Sequence, residues 1–215
     1  MSLQLGVLLS GSGSNLQALI DRMEQGALRA SIRLVVSDNP KAFGLKRAER
    51  HGIPVRILEP GKHPSRQAHD EAVIRALQAH GVQAVALAGY MRLVSRVFVE
   101  AFPGKVLNIH PALLPSFKGL DAQRRAAEYG VRISGATVHF VDEHLDHGPI
   151  IIQAAIPNVQ GTRGEELKER ILGLEHRIYP QAIQWLAEGR VKIDGRKVII
   201  TDSTGCVETL TNPTQ

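Results

Sequence analysis

The tripeptide Asn108-Ile109-His110, followed by Pro111, sets a carboxamide and an imidazole two residues apart at the end of the apolar run Val106-Leu107. That run reads as a buried strand, and residues two apart on a strand point to the same face. Pro111 lacks the N–H that a central ladder needs, and it restrains His110 to an extended conformation. A hydrogen-bond donor and a proton-transfer group therefore stand side by side where the chain leaves the sheet. Such a pair suits stabilisation of a developing oxyanion coupled to movement of a proton. An Asn and a His that merely cap a loop would be spelled the same way, and the tripeptide alone leaves both readings open.

Gly11-Ser12-Gly13-Ser14-Asn15 is the second candidate. Its glycines let a ligand approach the backbone, and the helix start that follows offers unpaired N–H groups with a partial positive charge, which suits a phosphate. The hydroxyls of Ser12 and Ser14 add donors. No Lys follows the second Gly, so this is not a Walker loop. Leu16 stands where a dinucleotide fingerprint has its third Gly, which argues for a phosphorylated ligand smaller than NAD. The competing reading is a tight turn closed by a Ser14/Gln17 capping box.

Asp146 lies in the loop His144-Leu145-Asp146-His147-Gly148-Pro149. A carboxylate beside His110 would orient the ring and favour its protonated form. Asp near Gly and Pro is more often turn chemistry, and sequence alone does not bring the two residues together. His139 sits in a strand-like run and reads as a structural histidine. His144 and His147 flank Asp146, which is weak support for a metal site. The remaining histidines read as surface residues.

The elements that must carry these groups alternate. Strands are expected at Leu5–Leu9, Ser31–Val36, Pro54–Leu58, Ala84–Ala88 and Val106–Ile109. Helices are expected at Asn15–Gln25, Phe43–His51, Ser65–His80 and Ser95–Phe102. This order predicts a parallel, doubly wound sheet, which binds ligands outside the carboxyl ends of its strands. Beyond it, Ser134–Val141 and Ile150–Ala155 predict an antiparallel pair joined by the polar loop Asp142–Gly148. Thr162-Arg163-Gly164-Glu165 fits a capping box that opens a helix. Leu167, Ile171, Leu174 and Ile178 recur at helical spacing, and Pro180 should interrupt or restart that helix. Asp194-Gly195 between β-prone runs signals a hairpin in Val191–Thr201. The tail from Asp202 is polar and reads as loose. With no repeat or low-complexity linker, one domain spanning 1–190 is expected, followed by a hairpin and tail over 191–215.

Composition sets the bounds. The chain has 215 residues, 43% of them hydrophobic but only 4% aromatic, so the core must be aliphatic. Its net charge of +5 mildly favours acidic small molecules. No Lys/Arg run is dense enough to propose nucleic acid. The single cysteine, Cys206, excludes an internal disulfide and a thiolate metal cluster. Neither a secretory signal nor a membrane-spanning run is legible, so a cytoplasmic protein is the expectation.

Taken together, the motifs resemble the glycinamide ribonucleotide formyltransferase family. The likeness is carried by Ser10-Gly11-Ser12-Gly13-Ser14-Asn15-Leu16-Gln17, Leu87-Ala88-Gly89-Tyr90-Met91-Arg92, Leu107-Asn108-Ile109-His110-Pro111-Ala112-Leu113-Leu114-Pro115, Val138-His139-Phe140-Val141 and Leu145-Asp146-His147-Gly148-Pro149. It runs from about residue 4 to about residue 190. The resemblance implies a Rossmann-like formyltransferase fold of class α/β, with helices on both faces of a mostly parallel sheet and antiparallel C-terminal additions. It also implies transfer of a formyl group from 10-formyltetrahydrofolate, as co-substrate and with no metal required, to the amine of glycinamide ribonucleotide in purine biosynthesis. In family terms Asn108, His110 and Asp146 form the catalytic set. Gly13, Ser14 and Asn15 hold the ribonucleotide phosphate, and Glu175 holds its ribose hydroxyls. Arg66 meets the glutamate end of the folate. Met91, Arg92, Leu93, Val94, Asn108 and Val141 line the folate site, with the loop Val141–Asp146 closing one side. No nucleic acid or membrane partner is implied, and the assembly is a monomer or homodimer.

Two departures stand out: His147 replaces the usual Gly, which restricts the backbone there, and Ala112 replaces a common Ser. The rivals are the catalytic domain of a methionyl-tRNA formyltransferase, a formyltetrahydrofolate hydrolase and a folate- or nucleotide-binding module. The first two families carry an extra domain for which this chain is expected to lack room, and a binder has no need of all three catalytic side chains.

Overall fold

The computed structural model describes residues 2–158 and 161–202. Cys206 and the tail from 203 onward lie outside the described residues. In chain order the elements are β1 (Leu3–Leu9), α1 (Ser14–Glu24), β2 (Ala30–Ser37), α2 (Phe43–Arg50), β3 (Val55–Ile57), a 3-10 turn (Pro60–Lys62), α3 (Arg66–Ala79), β4 (Ala84–Leu87), α4 (Arg96–Ala101), β5 (Val106–His110), α5 (Ala122–Tyr129), β6 (Ile133–Phe140), β7 (Ile150–Pro157), α6 (Gly164–Ala187), β8 (Val191–Asp194) and β9 (Lys197–Ile200). Seven strands form one sheet in the order β3-β2-β1-β4-β5-β6-β7, and β8-β9 form a separate hairpin. The pairs β1/β2, β1/β4, β2/β3 and β4/β5 are parallel, and β6/β7 is antiparallel. This is the expected α/β class with antiparallel C-terminal additions. Contacts divide the chain into two compact units, one of Met1–Asn108 with Phe140–His144, the other of Ile109–His139 with the residues from Leu145 onward.

In the first unit β1, β2 and β4 are largely buried, as parallel strands covered on both faces must be, while the edge strand β3 has no buried residue. Leu8 joins a core with Val73, Ile74 and Leu77 of α3 and Phe98 of α4. Its neighbour Leu9 points the opposite way, its methyl carbons under Gly44 at the start of α2. Helices therefore cover both faces of this part of the sheet. Gly13 has φ 70, and a Cβ there would lie 2.5 Å from the Gly44 Cα. The Gly44 N–H donates to the Gly11 carbonyl at 3.0 Å. Paired glycines thus let the loop after β1 sit directly on α2.

In the second unit Thr137 of β6 makes the main side-chain tie. Its hydroxyl donates to the Ala112 carbonyl at 2.7 Å and accepts from the Leu114 N–H at 3.1 Å. Gln153 of β7 donates both to that hydroxyl and to the Leu114 carbonyl, each at 3.0 Å. The chain leaving His110 is thereby stitched to the antiparallel pair.

Several local expectations fail for physical reasons. The helix α6 runs unbroken through Pro180, because Ile178, Tyr179, Pro180, Ala182 and Ile183 are all buried and their packing outweighs one lost backbone bond. Its N-cap is Arg163 without a side-chain cap, so the capping box at Thr162 does not form. At α1 the N-cap is Gly13, and Ser14 is already helical, so the Ser14/Gln17 box does not form either. The whole of α5 was not expected. His69, expected at the surface, is 1% exposed, with Nε2 2.9 Å from the Leu58 carbonyl. In the C-terminal hairpin Asp194 pairs with Lys197, so the turn residues are Gly195 and Arg196. No helix among the described residues is long and apolar enough to cross a membrane.

Candidate active site

His110 ends β5 and is 5% exposed. Its Nδ1 lies 3.3 Å from Asp146 Oδ2, and its Nε2 lies 2.9 Å from the Phe117 carbonyl. The residues 36 positions apart are therefore brought together within the second unit. Asp146 adopts φ 44, a left-handed conformation uncommon for a non-glycine residue. The Gly119 N–H donates to its Oδ2 at 2.8 Å. On the other carboxylate oxygen, His139 Nε2 approaches Oδ1 to 3.7 Å. The special backbone falls on Asp146 itself and not on His147, where the departure from the family pattern suggested it.

Electrostatics follow from this packing. Burial is the largest influence on His110 and pushes its proton affinity below that of free imidazole. The Asp146 charge and the Phe117 carbonyl oppose that shift, while His139 and Arg125 add to it. A carboxylate neighbour alone was expected to favour the protonated ring, and desolvation overturns that expectation. For Asp146 burial would raise the carboxyl, but contacts from His139, the His110 ring and the Gly119 N–H outweigh it and hold the group below the usual carboxylate range. A neutral imidazole has one N–H, yet both ring nitrogens of His110 face oxygen acceptors. Only the cation satisfies both. Burial favours the neutral ring at rest beside an ionised Asp146, while the geometry is complementary to a transient imidazolium.

Asn108 is half-buried on the same strand, two residues before His110, so the two side chains share a face. His139 was read as structural; its contact with Asp146 gives it a place beside the dyad. The signal available in sequence was a lone imidazole inside an apolar strand, since a buried polar group needs a partner. Arg196 Nη1 donates to the His147 carbonyl and lies 3.5 Å from its Nδ1.

In the first unit Gly13, Ser14 and Asn15 form the start of α1, with Asn15 buried. Arg47 braces this loop from α2, donating through Nε to the Ser12 carbonyl at 2.9 Å and through Nη1 to Gln17 at 3.2 Å. Arg66 is the exposed first residue of α3, behind a Ser65 cap that accepts from the Ala68 N–H. The segment after β4 is tied back by Ser10, whose hydroxyl accepts from the Met91 N–H at 2.9 Å. Met91 and Leu93 are exposed, Arg92 is half-buried, and Val94 is a core residue that offers a ligand only its backbone. Val141 packs against the same core as Val94. In the second unit Glu175 is buried on α6, where its charge and burial, the latter the larger, both raise the Tyr179 hydroxyl above the ordinary tyrosine value.

Residues 3–183 match the formyl transferase family. Over 187 residues the chain is 42% identical to the phosphoribosylglycinamide formyltransferase of Escherichia coli (strain K12), covering 87% of this chain and 88% of that one. The chain belongs to the phosphoribosylglycinamide formyltransferase family. A crystal structure of another member, glycinamide ribonucleotide transformylase 1 from Symbiobacterium toebii, superposes with a TM-score of 0.92 at 52% identity, covering 94% of this chain and 95% of that one. The trifunctional purine biosynthetic protein adenosine-3 of Gallus gallus is 46% identical over 190 residues, which are 88% of this chain but only 19% of that protein. Membership of the phosphoribosylglycinamide formyltransferase family thus accounts for the fold.

Proposed function

We propose that this chain transfers the formyl group of 10-formyltetrahydrofolate to the amine of glycinamide ribonucleotide, in the cytoplasm, as a step of purine biosynthesis. The observation that carries the reading is the His110–Asp146 pair at 3.3 Å, on a chain of this family, with Asn108 on the same face of β5. In the reaction the amine attacks the formyl carbon and a tetrahedral oxyanion forms. Asn108 donates a hydrogen bond to that oxygen, and so does His110 once substrate draws its Nε2 from the Phe117 carbonyl, so the polarisation is assigned to side chains and not to a metal; one such donor is typically worth about 10² to 10³ in turnover. N10 of the folate leaves readily only when protonated. His110 takes up the proton released by the amine and delivers it to N10, while Asp146 orients the ring and stabilises the imidazolium. Gly13, Ser14 and Asn15 receive the phosphate at the start of α1. Glu175 takes the ribose hydroxyls. Arg66 receives the folate carboxylates, and Met91, Arg92, Leu93, Val94 and Val141 receive the pterin.

The test is an assay with 10-formyltetrahydrofolate that compares glycinamide ribonucleotide with water as acceptor. Formylated ribonucleotide as the product supports the reading. Formate as the main product, with the amine present, rejects it in favour of a hydrolase, and absence of both products leaves a binding module.

A further inference from the structure

Both members of the dyad are held by backbone groups of one short segment. The Phe117 carbonyl meets His110 Nε2 and the Gly119 N–H meets Asp146 Oδ2. This segment does not hold its shape cheaply. Phe117 has φ 51, Gly119 φ 81 and Asp121 φ 55, so three left-handed residues alternate within five positions. A bulky residue in that region costs of order 1–3 kcal/mol and persists only where its surroundings impose it. One side chain of α5 holds this segment. Arg125 Nη1 donates to the Lys118 carbonyl at 2.6 Å and to the Leu120 carbonyl at 3.3 Å. Its guanidinium also lies over the Phe117 ring, 5.9 Å from the centroid. It thus grips the residues on either side of Gly119 and the side chain of Phe117, while touching neither His110 nor Asp146.

We propose that Arg125 is a positioning residue for catalysis, which clamps the segment 117–120 so that its backbone fixes the His110 ring and the Asp146 carboxylate. A planar guanidinium fork serves this better than a point charge, because its Nη1 donates to two carbonyls while the delocalised cation lies over a ring. The inference rests on the proposed roles of His110 and Asp146 and adds a residue to them. Arg125 is exposed, so replacing it opens no cavity in the core.

Arg125→Lys and Arg125→Gln separate the clamp from the charge. In the clamp reading, Lys keeps the charge and loses the fork. His110 Nε2 then loses a fixed acceptor, the imidazolium is less well held, and the His110 titration moves to lower pH in the free enzyme, as read by NMR of the ring. Turnover falls about tenfold or more, since small misplacements of catalytic groups carry losses of that order. KM for both substrates stays within about twofold. If Arg125 acts only through its charge, Arg125→Lys matches the wild type and Arg125→Gln alone moves the His110 titration upward; that result overturns the proposal. Unchanged turnover and titration in Arg125→Lys overturns it as well, as does a rise in KM with kcat intact. The titration needs no substrate, so a chain with a different acceptor would show the same shift and only the reaction assignment would fall.

Discussion

Two oxygen acceptors confront one exchangeable proton at His110. The Phe117 carbonyl and the Asp146 carboxylate both want an N–H, and burial opposes the second proton that would satisfy them. A ring poised in this way can take a proton for the lifetime of a tetrahedral intermediate and then surrender it. His110→Ala should therefore lower kcat by about 10² to 10⁴ while folate binding, followed by fluorescence titration, stays close to wild type. A variant that formylates at the normal rate removes His110 from the mechanism. His139 contributes from the far side of the carboxylate. In His139→Gln the Asp146 carboxyl should titrate at higher pH than in the wild type, because two of the influences that hold it down come from His139. Carbon NMR of the side chain reads this directly, and an unmoved titration would make His139 a bystander. The residue was missed in the sequence because its aim depends on a register shift between Val138 and His139 in the β6/β7 ladder, and irregularities of that kind re-aim side chains without leaving a local motif.

Strands and helices with strong periodicity were legible: every expected strand exists within a few residues, and so does each expected helix. The exceptions have causes in packing. The helix α5 has the sequence Ala122-Gln123-Arg124-Arg125-Ala126-Ala127-Glu128-Tyr129 and buries only Ala122 and Ala126, one turn apart. Two methyl groups make no detectable apolar stripe, and its N-cap, Asp121, makes no side-chain cap bond. Pro180 misled in the opposite direction, because tertiary burial overrode a local penalty. The same dependence on partners far along the chain makes Thr137 a sensitive point. It is fully buried and serves three hydrogen bonds that hold the chain just after His110. Thr137→Val preserves the shape but leaves the Leu114 N–H and the Ala112 carbonyl without that hydroxyl. Each orphaned buried group costs about 1–3 kcal/mol, so a loss of about 2–4 kcal/mol is expected from urea unfolding, with kcat reduced beyond what unfolding explains. A variant as stable and active as wild type would show that the turn after His110 is held by other means.

For the whole molecule, the α/β class was readable because alternation of short apolar runs with helical patterns is a global signal. The division at Asn108/Ile109 was not, since it cuts through β5 with no linker or change of composition to mark it. The chain's response to acid is likewise a whole-molecule property that two residues bias in one direction. His110 titrates below the ordinary 6.5 when folded. Once the pH falls below 6.5, the unfolded chain therefore binds a proton at this position that the folded chain refuses. Stability then decreases with falling pH, by at most about 1.4 kcal/mol per unit, until the folded ring also protonates. Asp146 is held below 3.8, so its contribution is intact above that value and is lost only in stronger acid. Between pH 8 and pH 5 the difference between wild type and His110→Asn isolates the imidazole, because Asn does not titrate and Asp146 stays ionised. Urea unfolding across this range should show the wild type losing more stability on acidification than His110→Asn, with the curves diverging below about pH 6.5. Curves that stay parallel would mean that the folded ring accepts its proton as readily as the unfolded one, and the neutral resting state assigned to His110 would have to be given up.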